Sequence, residues 1–164
     1  MRTPPQTSDF AQGLGRIRVG IDIVRISHIA ESIERFGQRF LRRIYTADEI
    51  AYAEAAPTLR AERLAARFAA KEAGLKALQL ADAGVSWTDL EVHRAQSGDC
   101  ELRLHRSAHS AARASGICDI ALSLSHEGDY ATAIVMAQRG PTGPGLARTG
   151  YESQTPRAFE DTRS

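Results

Sequence analysis

Arg67, Lys71, Glu72 and Lys76 crowd one alanine-rich run, RFAAKEAGLKA, from Arg67 to Ala77. On a helix turning about 100° per residue, Leu64, Phe68, Leu75 and Leu78 share one face, and Lys71 falls among them. A lysine inside an apolar stripe is costly to bury without a partner. One reading is a solvated Glu72–Lys76 pair at i,i+4, worth about 0.3–0.5 kcal/mol, with Lys71 reaching along the surface to water. The other is an anion site, with Arg67, Lys71 and Lys76 facing phosphates and Glu72 facing Mg²⁺. That ion takes only one or two protein carboxylates and completes its coordination with water and phosphate oxygens. A second carboxylate is then needed, and Asp22, in the apolar run VGIDIV, is the candidate. Asp22 also suits the N-cap of a following helix. A third feature is LSLSHEG, Leu122 to Gly128, where small polar residues alternate with leucines and His126 ends the run. His126 reads equally as an ordinary strand-end histidine.

The elements that must carry these residues follow from period and punctuation. Ile17 to Val24 is β-branched and apolar, a strand. Ile26, Ile29, Ile33 and Phe36 recur at helical spacing. Thr46 with Glu49 three residues on is a capping box that opens a short helix toward Ala56. Leu59 to Leu80 is the longest helix. Asp89–His93 and Cys100–His105 are strands about a turn at Ser97-Gly98-Asp99. Ser107–Ser115 is a short helix stopped by Gly116. Ile120–Ser125 and Tyr130–Ala137 are strands about Glu127-Gly128-Asp129. This is an α+β domain, expected over residues 16–138, with a flexible leader at 1–15 and a disordered tail at 139–164.

Composition narrows the classes. The 164 residues are 43% hydrophobic and 25% charged, with a formal net charge of +1. A protein that holds nucleic acid by bulk charge is far more basic, so no nucleic-acid partner is expected. The longest apolar runs fall well short of the roughly 20 residues of a membrane span, and the start of the chain has no signal-peptide core. Two cysteines, Cys100 and Cys118, without a CxxC pattern, fit a reduced cytoplasmic protein. His105 and His109 stand at i,i+4 but have no third ligand nearby in sequence, which disfavours zinc.

Taken in order, GIDIV (Gly20–Val24), RFAAKEAGLKA (Arg67–Ala77), VSWTDLEV (Val85–Val92) and SLSH (Ser123–His126) resemble the holo-acyl-carrier-protein synthases, the small 4′-phosphopantetheinyl transferases. The resemblance runs from about Val19 to Val135. It implies their fold, an antiparallel sheet packed on one long and several short helices. It also implies their reaction: the 4′-phosphopantetheine arm of coenzyme A moves to a serine of an apo acyl carrier protein in fatty-acid or polyketide synthesis, and adenosine 3′,5′-bisphosphate leaves. By position, Asp22 and Glu72 match the family's Mg²⁺ carboxylates, and Lys76 its pyrophosphate lysine. Arg67 matches an arginine near the CoA 3′-phosphate with Lys71 close by, and His126 the histidine beside the phosphate and adenosine end. Glu72 directly, or a metal-bound water, takes the serine proton.

Around the helix after Asp22, Arg25, Arg35, Arg39, Arg42 and Arg43 outnumber Glu31 and Glu34, a local charge of +3. That suits an acidic carrier protein, which the family docks here, although a solvated arginine-rich helix end is the plainer reading. The family's homotrimers, with each CoA site between two subunits, are implied as well. Departures from the family pattern are Gly74-Leu75 inside the long helix, a single glycine in the loop Gln79–Gly84, and Gly98-Asp99-Cys100 in place of GxP. The competing hypotheses are a non-catalytic relative that binds CoA or a carrier protein, and an unrelated nucleotide-binding or scaffold domain. A CoA or Mg²⁺ effect on melting temperature separates the latter.

Overall fold

The computed structural model describes residues 17–140. The expected leader lies outside the described residues, and so does the expected tail apart from its first two residues, where the last strand runs on through Arg139, and Gly140 N donates to the Gly116 carbonyl. In chain order the elements are β1 (Ile17–Arg25), α1 (Ile26–Ile44), α2 (Ala47–Glu54), α3 (Arg60–Leu78), β2 (Leu90–Arg94), β3 (Cys100–Leu104), α4 (Arg106–Ala114), β4 (Ile117–Glu127) and β5 (Tyr130–Arg139). Single 3₁₀ turns precede α3 and β2. β1, β5 and β4 form an antiparallel sheet with β5 in the middle, and β2 pairs with β3 as a separate antiparallel hairpin. The α+β architecture is as expected.

α3 is the axis of the molecule. Its expected single apolar stripe is instead burial on nearly every side: Ala65, Ala66, Ala69, Ala70, Ala73 and Ala77 are all buried, along with Leu64 and Leu78. Alanines keep the helix thin, so several layers can press on it at once. One core cluster joins α3 to β2, β3, α4 and the sheet; the other joins it to α1 and α2. α3 stops at Gln79, which takes the left-handed conformation (φ 56°, ψ 46°) that glycine usually supplies.

β1 packs the opposite way from what its isoleucines suggest. Strand residues alternate between faces. Arg18, Gly20, Asp22 and Val24 turn inward toward α3, while Ile17, Val19, Ile21 and Ile23 stay 60–65% exposed on the outer face. α1 runs further than the Ile26–Phe36 spacing indicates, but as two segments broken at Gly37, whose φ of 54° and ψ of −138° are not helical. Leu41 and Ile44 anchor the second segment. α2 opens with the expected capping box: Glu49 N donates to Thr46 Oγ1 at 3.3 Å, and Thr46 N donates to Glu49 Oε2 at 2.9 Å.

Candidate active site

Glycine at position 20 lets β1 touch the backbone of α3. A Cβ there would lie 2.0 Å from the Ala73 carbonyl oxygen and 2.8 Å from the Ala77 nitrogen. Two residues on, on the same face of the strand, Asp22 therefore meets α3 at the turn carrying Glu72 and Lys76. Lys76 Nζ donates to Asp22 Oδ1 at 2.8 Å and to the Ile21 carbonyl at 3.1 Å. Asp22 does not cap α1; that helix receives its first-turn acceptors from Asp129. Burial, and then the charge of Asp22, push the Glu72 carboxyl above the usual glutamate range, against the pull of Lys76. Asp22 and Glu72 share a cleft of about 730 Å³ with Arg25, His28, Phe68 and Tyr130.

The fit of this pair to a metal can be tested on its own chemistry. Two oxygen-donor carboxylates raise the local negative charge, and among the described residues no cluster of three His, Cys, Asp or Glu residues offers a closed site. Such a pair suits Mg²⁺, which leaves most of its coordination to water and phosphate, better than zinc.

Lys71 is a correction. Its side chain is 0% exposed, and its Nζ sits 2.7 Å from Glu49 Oε2 while also donating to the carbonyls of Trp87 and Leu90. An ammonium has three N–H donors, and all three are used inside the protein. None remains for a phosphate. The residue neither reaches the surface nor lines the cleft; it pairs across the core.

Arg67 is buried too, but within a cationic cluster. Its guanidinium lies 4.1 Å from the centre of the Tyr52 ring and that of Arg63 lies 4.4 Å from it, while Arg94 Nη1 donates to the Tyr52 hydroxyl at 2.7 Å. None of the three arginines forms an ion pair among the described residues. Arg67 Nε is buried without a partner, and burial lowers the proton affinity of its guanidinium. Sequence reasoning missed Arg63, Arg94 and Tyr52. Arg63 stands one helical turn before Arg67 and could have been found; Tyr52 and Arg94 arrive from other elements.

These groups occupy different faces of α3. Nine residues separate Arg67 from Lys76, which puts them about 180° apart around the helix. His126, at the end of β4, faces Glu62 (Nε2 to Oε1, 3.4 Å), about 21 Å along the axis from Lys76. One chain thus brings Asp22, Glu72 and Lys76 together, and holds His126 and the Arg67 cluster apart from them. The five arginines around α1 are exposed and form no ion pair among the described residues. They are not one patch: Arg25 borders the carboxylate cleft, whereas Arg42 borders a second cleft of about 740 Å³ with His105 and Arg106.

Comparison with known proteins gives the family. The model of the 4′-phosphopantetheinyl transferase superfamily matches residues 18–135. Holo-acyl-carrier-protein synthases from Solibacter usitatus and Koribacter versatilis are 42% and 46% identical, covering 74% and 73% of this chain and 98% and 95% of theirs. Among solved structures, the Chronobacterium ammoniagenes ACPS–CoA complex superposes with a TM-score of 0.67 at 33% identity, over 77% of this chain and 99% of that one. The Helicobacter pylori holo-acyl-carrier-protein synthase in complex with coenzyme A gives 0.64 at 28%, over 73% and 99%. The chain belongs to the 4′-phosphopantetheinyl transferase superfamily, among the holo-acyl-carrier-protein synthases.

Proposed function

We propose that the protein moves 4′-phosphopantetheine from coenzyme A to a serine hydroxyl of an apo acyl carrier protein, with Mg²⁺, and releases adenosine 3′,5′-bisphosphate. The observation that carries this is the Asp22–Glu72 pair with Lys76 on Asp22, at the edge of an open cleft. Phosphoryl transfer asks mainly for positioning and charge neutralisation. Mg²⁺ held by Asp22 and Glu72 would supply neutralisation of the CoA pyrophosphate. Lys76 adds a point charge toward the same oxygens. Glu72 takes the serine proton as the Oγ–P bond forms and the bond to the leaving phosphate breaks. Arg67, with Arg63 and Arg94, offers the charge for the 3′-phosphate end, and His126 a further contact for the nucleotide. A carrier protein with an acidic face suits the arginines of α1.

The site closes between copies in this reading. The outer sheet face leaves Ile17, Val19, Ile21, Ile23, Ile134 and Met136 exposed, an apolar patch of the kind that self-association covers. Association as a homotrimer lets one CoA reach the carboxylate cleft of one subunit and the Arg67 cluster or His126 of another. Two free cysteines accord with a reducing cytoplasm.

The test is intact-mass spectrometry of an apo carrier protein incubated with the protein, CoA and Mg²⁺, with EDTA as control. A gain of one phosphopantetheine, lost with EDTA and in Glu72→Gln and Asp22→Asn variants of unchanged melting temperature, is expected. CoA-dependent thermal stabilisation without any gain would favour a non-catalytic binder.

A further inference from the structure

Helix α1 is capped from the far end of the chain. Arg25 occupies its N-cap position and offers no side-chain hydrogen bond, and the first turn holds no acidic residue. The donors there are met instead by Asp129, in the two-residue turn between β4 and β5. Ser27 N donates to Asp129 Oδ1 at 2.8 Å, Ser27 Oγ donates to Oδ2 at 2.6 Å, and Ile26 N donates to the Asp129 carbonyl at 2.8 Å. Next to that turn, Tyr130 lies under the Arg25 guanidinium at 5.7 Å. Arg25, His28 and Tyr130 form part of the rim of the cleft that holds Asp22 and Glu72.

We infer that Asp129 is a positioning residue for the macromolecular substrate: it fixes the first turn of α1 so that Arg25 and His28 stand at the cleft rim to receive an acidic carrier protein. This rests on the transferase reading above. The rest of α1 does not depend on Asp129. Ile29, Leu41 and Ile44 are buried in the core, and the helix continues directly from β1. Losing Asp129 therefore frays one turn and leaves the fold and the CoA-binding groups in place. The carboxylate pair, fixed by Gly20 against α3, does not move with it.

The experiment compares wild type, Asp129→Ala, Asp129→Asn and Ser27→Ala. It reads calorimetric affinity for an apo acyl carrier protein, affinity for CoA, and hydrogen exchange of the amides at residues 26–32. Asp129→Ala is expected to weaken carrier binding about five- to tenfold, the size of one lost cap, with CoA affinity unchanged and protection lost only in the first turn of α1. Asparagine caps about as well as aspartate, so Asp129→Asn should recover most of the carrier affinity. A merely structural role would lower both affinities together, and Asn would not separate them; that result, or unchanged carrier affinity in Asp129→Ala, overturns the inference. A wild-type chain that binds carrier protein, loses that binding in Asp129→Ala, yet transfers nothing would leave the inference standing and sink the transferase reading. A wild-type chain with no affinity for any acidic carrier would overturn both.

Discussion

Gly20 shows how much of the site depends on the absence of one methyl group. The strand and the helix approach until backbone meets backbone, and only then can Lys76 reach both Asp22 and the Ile21 carbonyl. Gly20→Ala puts a Cβ against the Ala73 carbonyl, which cannot yield as a flexible side chain does. Overpacking of this kind costs about 1–3 kcal/mol, and the strand must back away from α3. Because a misplacement of about 1 Å can lower a rate roughly a hundredfold, the variant is expected to lose transfer activity out of proportion to its fall in melting temperature. Calorimetry beside the mass assay checks this. At the same scale, the Asp129 carboxyl is held below the ordinary carboxylate range, first by the Ser27 hydroxyl and amide, with Arg25 and His28 acting in the same direction. Its folded value lies below its unfolded value near ~3.9. The stabilisation is complete above that unfolded value and is lost as pH falls through the folded one. Between pH about 5 and 2, wild type should therefore lose more melting temperature than Asp129→Asn, which has no such charge to lose.

Among the elements, the buried Lys71–Glu49 pair ties three pieces together. Glu49 accepts from Thr46 N and Val92 N while pairing with Lys71, and Lys71 donates to the carbonyls of Trp87 and Leu90. The start of α2, the middle of α3 and the entry to β2 thus share one electrostatic knot. Removing one partner leaves an uncompensated buried charge, so Lys71→Met or Glu49→Leu alone should cost about 3–5 kcal/mol, and the double variant should recover much of that; denaturant unfolding measures it. The knot also marks where sequence reading stops. Local signals announced every strand and helix, most of them to within a few residues, although α1 runs to Ile44 rather than ending near Phe36, and Thr46 with Glu49 announced the cap of α2. That Glu49 serves the cap and the core lysine together was not legible, because its second partner is 22 positions away on another helix. Lys71 in an apolar stripe was visible as an anomaly, yet the choice between phosphate and carboxylate belongs to packing. Asp22 and Glu72 were legible as a pair through the family resemblance; the inward turn of β1 that joins them was hidden by its isoleucines.

For the whole molecule, the same β1 has two tasks on its two faces: the inner one carries the carboxylate, and the outer one carries the apolar patch. The candidate site and this apolar face are therefore a strand's thickness apart. α3 separates the groups further, since the carboxylates and the Arg67 cluster stand on opposite sides of one helix. If neighbouring subunits each lend one side, a defect on one side need not be fatal in a blend. Glu72→Gln subunits and Arg63→Ala/Arg94→Ala subunits would each be inactive or impaired alone. Unfolded separately, combined and refolded at equal ratio into closed rings, about a quarter of their junctions would unite an intact carboxylate side with an intact arginine side. Recovery of activity on mixing, absent when either variant is refolded alone, would make this small enzyme one whose unit of catalysis is the seam and not the chain.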